Sequence, residues 1–184
     1  MPARVRLFAV LVAALAGCGQ APRRETVAPE RRSAVLTVTS PAFKAGGTIP
    51  KRHSRKEGDN VSPPLSWTGA PEGTKGFAIV CDDPDAPGAK PWVHWVLYGI
   101  PAGSAGLAEG QTAGGVEGVN SWNAPGYDGP QPPAGHGPHH YHFRVYALDT
   151  EPGLGPGASK EKFLAAMKGH ILAEGALVGV YERK

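Results

Sequence analysis

Two stretches of the chain concentrate groups able to do chemistry. The first, Asp82-Asp83-Pro84-Asp85-Ala86-Pro87 continuing to Trp92-Val93-His94, offers carboxylates, an indole and an imidazole on either side of a proline-stiffened turn. Proline fixes φ and restricts the residue before it, so Asp83 and Asp85 are expected to be held in place. The second, residues 126–143, carries four prolines and four glycines and then delivers His139, His140 and Tyr141. Imidazole N–H, phenol O–H and glycine-exposed backbone N–H groups are donors, and a phosphate-like oxyanion offers oxygens that accept. Together the stretches read as two halves of a small anion pocket. Taken singly, Asp-Pro-Asp is also ordinary turn chemistry, and a lone strand histidine is usually a satisfied core residue.

The flanking elements must position these groups. Gly76–Cys81 is a short apolar run ending at a turn signal, which predicts a buried strand, and 92–98 predicts a second. Strict alternation would put Trp92, His94, Val96 and Tyr98 on one face of that strand. In 141–149 the same alternation sends Tyr141, Phe143, Val145 and Ala147 one way, and His142, Arg144, Tyr146 and Leu148 the other. Residues 34–39 are rich in β-branched side chains and open the domain as a strand, while 61–67 is extended because of Pro63-Pro64. Residues 52–60 read as a polar surface loop, and a short strand is expected within 106–111. A helix is predicted over 159–174, with Ser159 as N-cap, Glu161 in the first turn and Gly175 as the stop, followed by a closing strand at 176–181. With 26 Gly and 19 Pro in 184 residues, the whole reads as one β-rich domain.

The first 17 residues have the grammar of a targeting segment. Arg4 and Arg6 precede an apolar core at 7–15, and Leu15-Ala16-Gly17-Cys18 follows. Residues 18–33 are charged and lack apolar periodicity, which predicts a disordered tether leading to a domain at 34–184. The formal net charge is +3, but Arg4 and Arg6 contribute two of the excess cations. No basic patch interleaved with aromatics is present, so a nucleic-acid partner is not expected. Cys81 lies inside an apolar run and reads as a buried core thiol. His136, His139, His140 and His142 are closely spaced, but alternation separates their directions; neither a metal nor a cofactor is expected. No nucleophile elbow surrounds Ser121, so enzymatic activity is not expected; the alternative is a weak hydrolase using Asp83, His94 and His139.

The ordered set Asp83-Pro84-Asp85-Ala86-Pro87, Trp92-Val93-His94, Gly129-Pro130-Gln131-Pro132-Pro133 and Gly137-Pro138-His139-His140-Tyr141 resembles the phosphatidylethanolamine-binding proteins, or Raf kinase inhibitor-like proteins, in their bacterial form. Asn60–Trp67 and the last helix and strand extend the resemblance over about residues 35–182. The resemblance implies a mainly β fold of two antiparallel sheets with a small peripheral C-terminal helix. It implies a shallow pocket for a phosphorylated small molecule or phospholipid head group, formed by Asp83, Asp85, Trp92, His94, Gly129, Pro132, Pro133, His139 and Tyr141. A cis Ala86–Pro87 bond is a further implication, as is a protease or kinase partner blocked through the pocket rim. Cysteines that relatives often carry in the loop matching 52–60 and near Gln131 are absent, which argues against thiol regulation. Leu15–Cys18 likewise resembles a lipobox, implying lipid on Cys18 and a bacterial envelope protein anchored outside the cytoplasm, on the periplasmic side or the cell surface.

Carboxylates beside a phosphate repel it. Either Asp83 or Asp85 accepts from an imidazole and fixes its tautomer, leaving His94 or His139 to donate outward, or one carboxyl is protonated. If charged histidines bind the anion, affinity should rise below about pH 6.5.

Overall fold

A computed structural model of the protein describes residues 34–184. The expected signal segment 1–17, lipidated Cys18 and tether 18–33 lie outside the described residues. Nine strands and one α-helix follow in order: β1 Ala34–Val35, β2 Thr37–Thr39, β3 Leu65–Thr68, β4 Gly76–Asp83, β5 Trp92–Pro101, β6 Gly106–Leu107, β7 Val116–Glu117, β8 His139–Leu148, α1 Lys160–Ala166 and β9 Ile171–Tyr181. They form a six-stranded sheet, β1-β9-β8-β4-β5-β7, and a three-stranded sheet, β2-β3-β6. All pairings are antiparallel except β1 with β9. The expected fold of two largely antiparallel sheets with one small helix is what the chain adopts.

The large sheet is covered on both faces, which explains the unbroken apolar run of β4. One face meets the small sheet: Phe77, Ile79, Trp95, Leu97, Phe143 and Val145 pack with Val38, Leu65 and Trp67. The other lies under α1, where Ala78, Val80, Val96, Tyr98, Tyr146 and Leu148 pack with Phe163 and Met167. All eight residues of β4 are therefore buried, as expected of a strand with no solvent face.

The predicted helix is shortened by half. Ser159 caps it as expected, its Oγ accepting from the Lys162 N–H, and Glu161 occupies the first turn. Gly169 then adopts φ +84°, a left-handed conformation open to glycine at little cost, and ends the helical stretch one turn after Ala166. Ile171–Glu174, expected to be helical, begin β9 instead, with Ala173 opposite Ala147 and Glu174 opposite Tyr146. Pairing with a ten-residue neighbour outweighs local helix propensity in a stretch of only four residues. The opening strand also divides: Leu36 N–H donates to Glu174 C=O, β1 joins the large sheet and β2 the small one.

Candidate functional site

The site lies at one end of β4, β5 and β8. Between β4 and β5, Cys81 faces Trp95 but Asp82 faces Val93, so His94 is an extra residue in the ladder. Such a bulge re-aims side chains. It corrects the alternation read from sequence: Trp92 and His94 face the site, whereas Val96 and Tyr98 pack on the α1 side. The His94 ring meets Tyr141 and Trp122 edge-on, with centroids 5.0 and 5.2 Å away.

His139 and Tyr141 share a face of β8, as expected. Asp83 Oδ2 accepts from His139 Nδ1 at 2.8 Å, and Asp83 Oδ1 accepts from the Asp85 N–H at 2.9 Å. Asp83 is 2% exposed and His139 1%. The far nitrogen of His139, Nε2, lies 2.8 Å from His136 Nδ1. An Asp83-His139-His136 chain thus runs from a buried carboxylate to an exposed loop residue, and both nitrogens of His139 are engaged.

His94 Nδ1 donates to the Asp128 carbonyl at 2.6 Å. A carbonyl only accepts, so the proton of neutral His94 is on Nδ1 and Nε2 carries a lone pair. Burial holds its pKa below the ordinary histidine value, against the opposing pull of the Asp128 carbonyl and the Asp83 charge. Burial, reinforced by the charge of Asp83, pushes the Tyr141 phenol far above its usual value, so it remains a neutral O–H.

These groups enclose a concavity of about 290 Å³. Of the nine ligand residues expected from sequence, seven line it: Asp83, Trp92, His94, Pro132, Pro133, His139 and Tyr141. Asp85 and Gly129 do not. Asp85 turns outward, where its Oδ2 accepts from the N–H and Nδ1 of His140 at 2.8 and 2.7 Å, and the His140 hydrogen bond holds its pKa low. It ties the Asp-Pro-Asp turn to β8. A Cβ on Gly129 would lie 1.9 Å from the His53 carbonyl oxygen, so this glycine serves close backbone packing. Ala86, Pro87, Trp122 and Gln131 complete the wall. The peptide bonds of the described residues are all trans, Ala86–Pro87 included, contrary to the family-based expectation.

Sequence reading missed the frame behind the pocket. Asp128 accepts from Arg55 Nε at 2.9 Å, Asn60 Nδ2 at 3.0 Å and Asn120 Nδ2 at 3.0 Å, while its N–H donates to the His94 carbonyl. Arg55 also reaches Gln131 Oε1 at 2.9 Å and lies 4.5 Å over the Trp122 ring. Asn60, at φ 56°, accepts from the Gly129 N–H. The stretch 52–60 is therefore part of the scaffold. The available signal was Asp128 itself, an acid among glycines and prolines within reach of His94 only through tertiary structure.

Among the described residues, the buried polar side-chain atoms without a hydrogen-bond partner are Asp82 Oδ1, Trp92 Nε1, Trp95 Nε1 and Tyr141 Oη. Two of them, Trp92 Nε1 and Tyr141 Oη, belong to residues of this wall. A larger hollow of about 470 Å³ at the other end of β4 and β5 has neither a histidine nor one of these atoms in its lining.

The architecture and the site define a two-sheet β domain with a small proline- and tryptophan-walled pocket into which a few polar side chains converge. The chain belongs to the phosphatidylethanolamine-binding protein family, whose model matches residues 39–182. A UPF0098 protein of Methanothermobacter thermautotrophicus is 48% identical over 154 residues, covering 80% of this chain and 99% of its own. A Mycobacterium tuberculosis protein named as a candidate lipoprotein, LppC, is 42% identical over 187 residues, covering 94% of this chain and 92% of its own. Among solved structures, Escherichia coli YbcL, described as a member of the mammalian PEBP family, matches with TM-score 0.77 and 35% identity, covering 82% of this chain and all of its own. A carboxypeptidase Y inhibitor in complex with its proteinase, at TM-score 0.50 and 21% identity over 83% of this chain and 84% of its own, shares the fold.

Proposed function

We propose that the protein is a binding module for a small phosphate-type anion, carried free or as the head of a phosphorylated molecule. The observation that carries this reading is that two buried donors without a hydrogen-bond partner of ordinary geometry, Tyr141 O–H and Trp92 N–H, belong to residues lining one small concavity together with His94 and His139. Buried donors are almost always satisfied, and a site rich in them is matched by an acceptor ligand. Proline on both sides, from Pro87 and Pro132-Pro133, limits the reorganisation cost of binding.

Binding rather than turnover fits the lining. It contains no serine, threonine, cysteine or lysine, and the tyrosine hydroxyl is held protonated. Ser121 Oγ instead accepts from the Val93 N–H at 2.8 Å, away from both histidine nitrogens that a base would need. The lipobox-like Leu15–Cys18 and the match to LppC, which extends over more of the chain than residues 34–184 could supply, favour a module tethered by lipid in the cell envelope.

Calorimetric titration of the full chain in non-ionic detergent with orthophosphate tests the reading. Saturable binding that disappears in a folded His94→Ala variant supports it. The absence of binding, or unchanged binding in that variant, overturns it.

A further inference from the structure

Among the described residues, the Asp83-His139-His136 chain ends in a nitrogen with no partner. Asp83 Oδ2 accepts from His139 Nδ1 at 2.8 Å, so neutral His139 presents a bare Nε2. The 2.8 Å contact between that atom and His136 Nδ1 needs a proton between two nitrogens, and neutral His136 supplies it from Nδ1. His136 Nε2 is then a lone pair on an exposed loop residue, outside the lining of the pocket. A proton added there breaks no hydrogen bond. A second would set two N–H groups against each other across the His136–His139 contact, so the chain has room for one extra charge and no more.

An anion entering the pocket meets Asp83, a carboxylate on the wall, and the Tyr141 hydroxyl already leans on that carboxylate. Resting on the anion-binding reading, we infer that His136 is the proton-accepting end of this site: an anion bound in the pocket draws one proton from solvent onto His136 Nε2, and the cation so formed offsets the charge of Asp83 through the hydrogen bonds of His139. Moving the proton across the His136–His139 contact only swaps donor and acceptor, so the charge can sit on either ring with both bonds kept. Opposite charges stabilise each other most where solvent is excluded, and Asp83 and His139 are 2% and 1% exposed. The other charged groups around the chain are already paired. Asp85, from the turn after β4, is held by His140. Arg183, which follows β9, accepts at its carbonyl from the Gly135 N–H beside His136, and its guanidinium lies between the Pro132 carbonyl and Glu57. His94, on β5, has Nδ1 committed to the Asp128 carbonyl, and burial opposes its charging.

Glycerophosphoethanolamine, a phosphodiester whose phosphate exchanges no proton near neutral pH, is the probe. Its binding to the full chain in non-ionic detergent is measured by calorimetry at about pH 7 in two buffers of different ionisation enthalpy, and the difference in heat counts the protons taken up. The parent is expected to take up roughly half a proton to one proton per ligand bound. By reciprocity its affinity should rise at least about fivefold from about pH 8 to about pH 6. In His136→Asn the side-chain amide takes the place of Nδ1 and still donates to His139, but it cannot ionise; this variant should bind without uptake, its affinity changing by less than about twofold over the same range. Binding by the parent without proton uptake overturns the inference and leaves the anion pocket standing. Uptake that survives in His136→Asn overturns it as well, placing the proton on another group such as His94. If the diester does not bind, the reading of the pocket as a site for phosphorylated head groups fails, and the inference with it.

Discussion

Replacing Tyr141 with Phe should move stability and binding in opposite directions. Tyr141 is fully buried, and its Oη has no partner among the described residues. A buried hydroxyl without a partner costs about 1–3 kcal/mol, part of which solvent in the pocket recovers. Phenylalanine keeps the ring, its edge-on contact with His94 and its place in the inter-sheet core. The ligand-free variant should therefore be as stable as the parent or more stable by up to about 1 kcal/mol. Phosphate, in contrast, loses a hydrogen bond to a charged acceptor, about 1.5–3 kcal/mol, or about 10- to 100-fold in affinity. Urea unfolding without phosphate and calorimetry with it measure the two quantities on the same sample. A destabilised variant with unchanged affinity would refute the reasoning, since it would mean that the hydroxyl is already satisfied inside the protein, with Asp83 the nearest candidate.

Asp128→Ala should lower unfolding stability by about 2–3 kcal/mol, because three side chains, Arg55 and Asn60 from one loop and Asn120 from another, lose a common acceptor, the lower figure allowing for partial exposure of Arg55; urea denaturation reads the loss. Asp85→Ala should leave phosphate affinity within about twofold by calorimetry, since that carboxylate faces His140 and solvent. Gly129→Ala should strongly reduce the yield of folded protein on gel filtration, because its Cβ would lie 1.9 Å from a backbone oxygen with no flexible side chain to give way. His94 predicts a pH dependence. Its folded pKa is lowered from the unfolded value of about 6.5, so between the two values the unfolded chain binds more protons. Stability should then rise with pH across that window and fall as pH drops below about 6.5. Thermal melts of His94→Phe should show a flatter slope there, and an equal slope would place the titration elsewhere.

The core strands were legible because each is long and written in one pattern. Gly76–Cys81 is uniformly apolar because both faces of β4 are covered, and 141–148 alternates because one face of β8 differs from the other. Misreadings arose where long-range pairing competed with a local signal. Gly175 resembled a helix stop, but Gly169 is the residue that turns left-handed, and the strand begins two residues later. The β5 bulge is invisible in the sequence because it depends on how β4 pairs, yet it decides which way His94 points. The same limit applies to the site. Seven pocket residues are found in two compact proline-bounded motifs. Asp128 and Asn120 in one connection and Arg55 and Asn60 in another are polar residues brought together by hydrogen bonds at separations of 8 to 73 residues, with no spacing rule to reveal them.

The central claim, that the two proline-bounded loops form one pocket for a phosphate-type anion, is tested most directly by a crystal structure determined at saturating orthophosphate. The account predicts phosphorus density within the concavity, with oxygens about 3 Å from Tyr141 Oη and Trp92 Nε1 and one oxygen facing His94 Nε2. Phosphate bound only to surface arginines and lysines, with the wall of Tyr141, Trp92 and His94 unoccupied by it, would contradict the account.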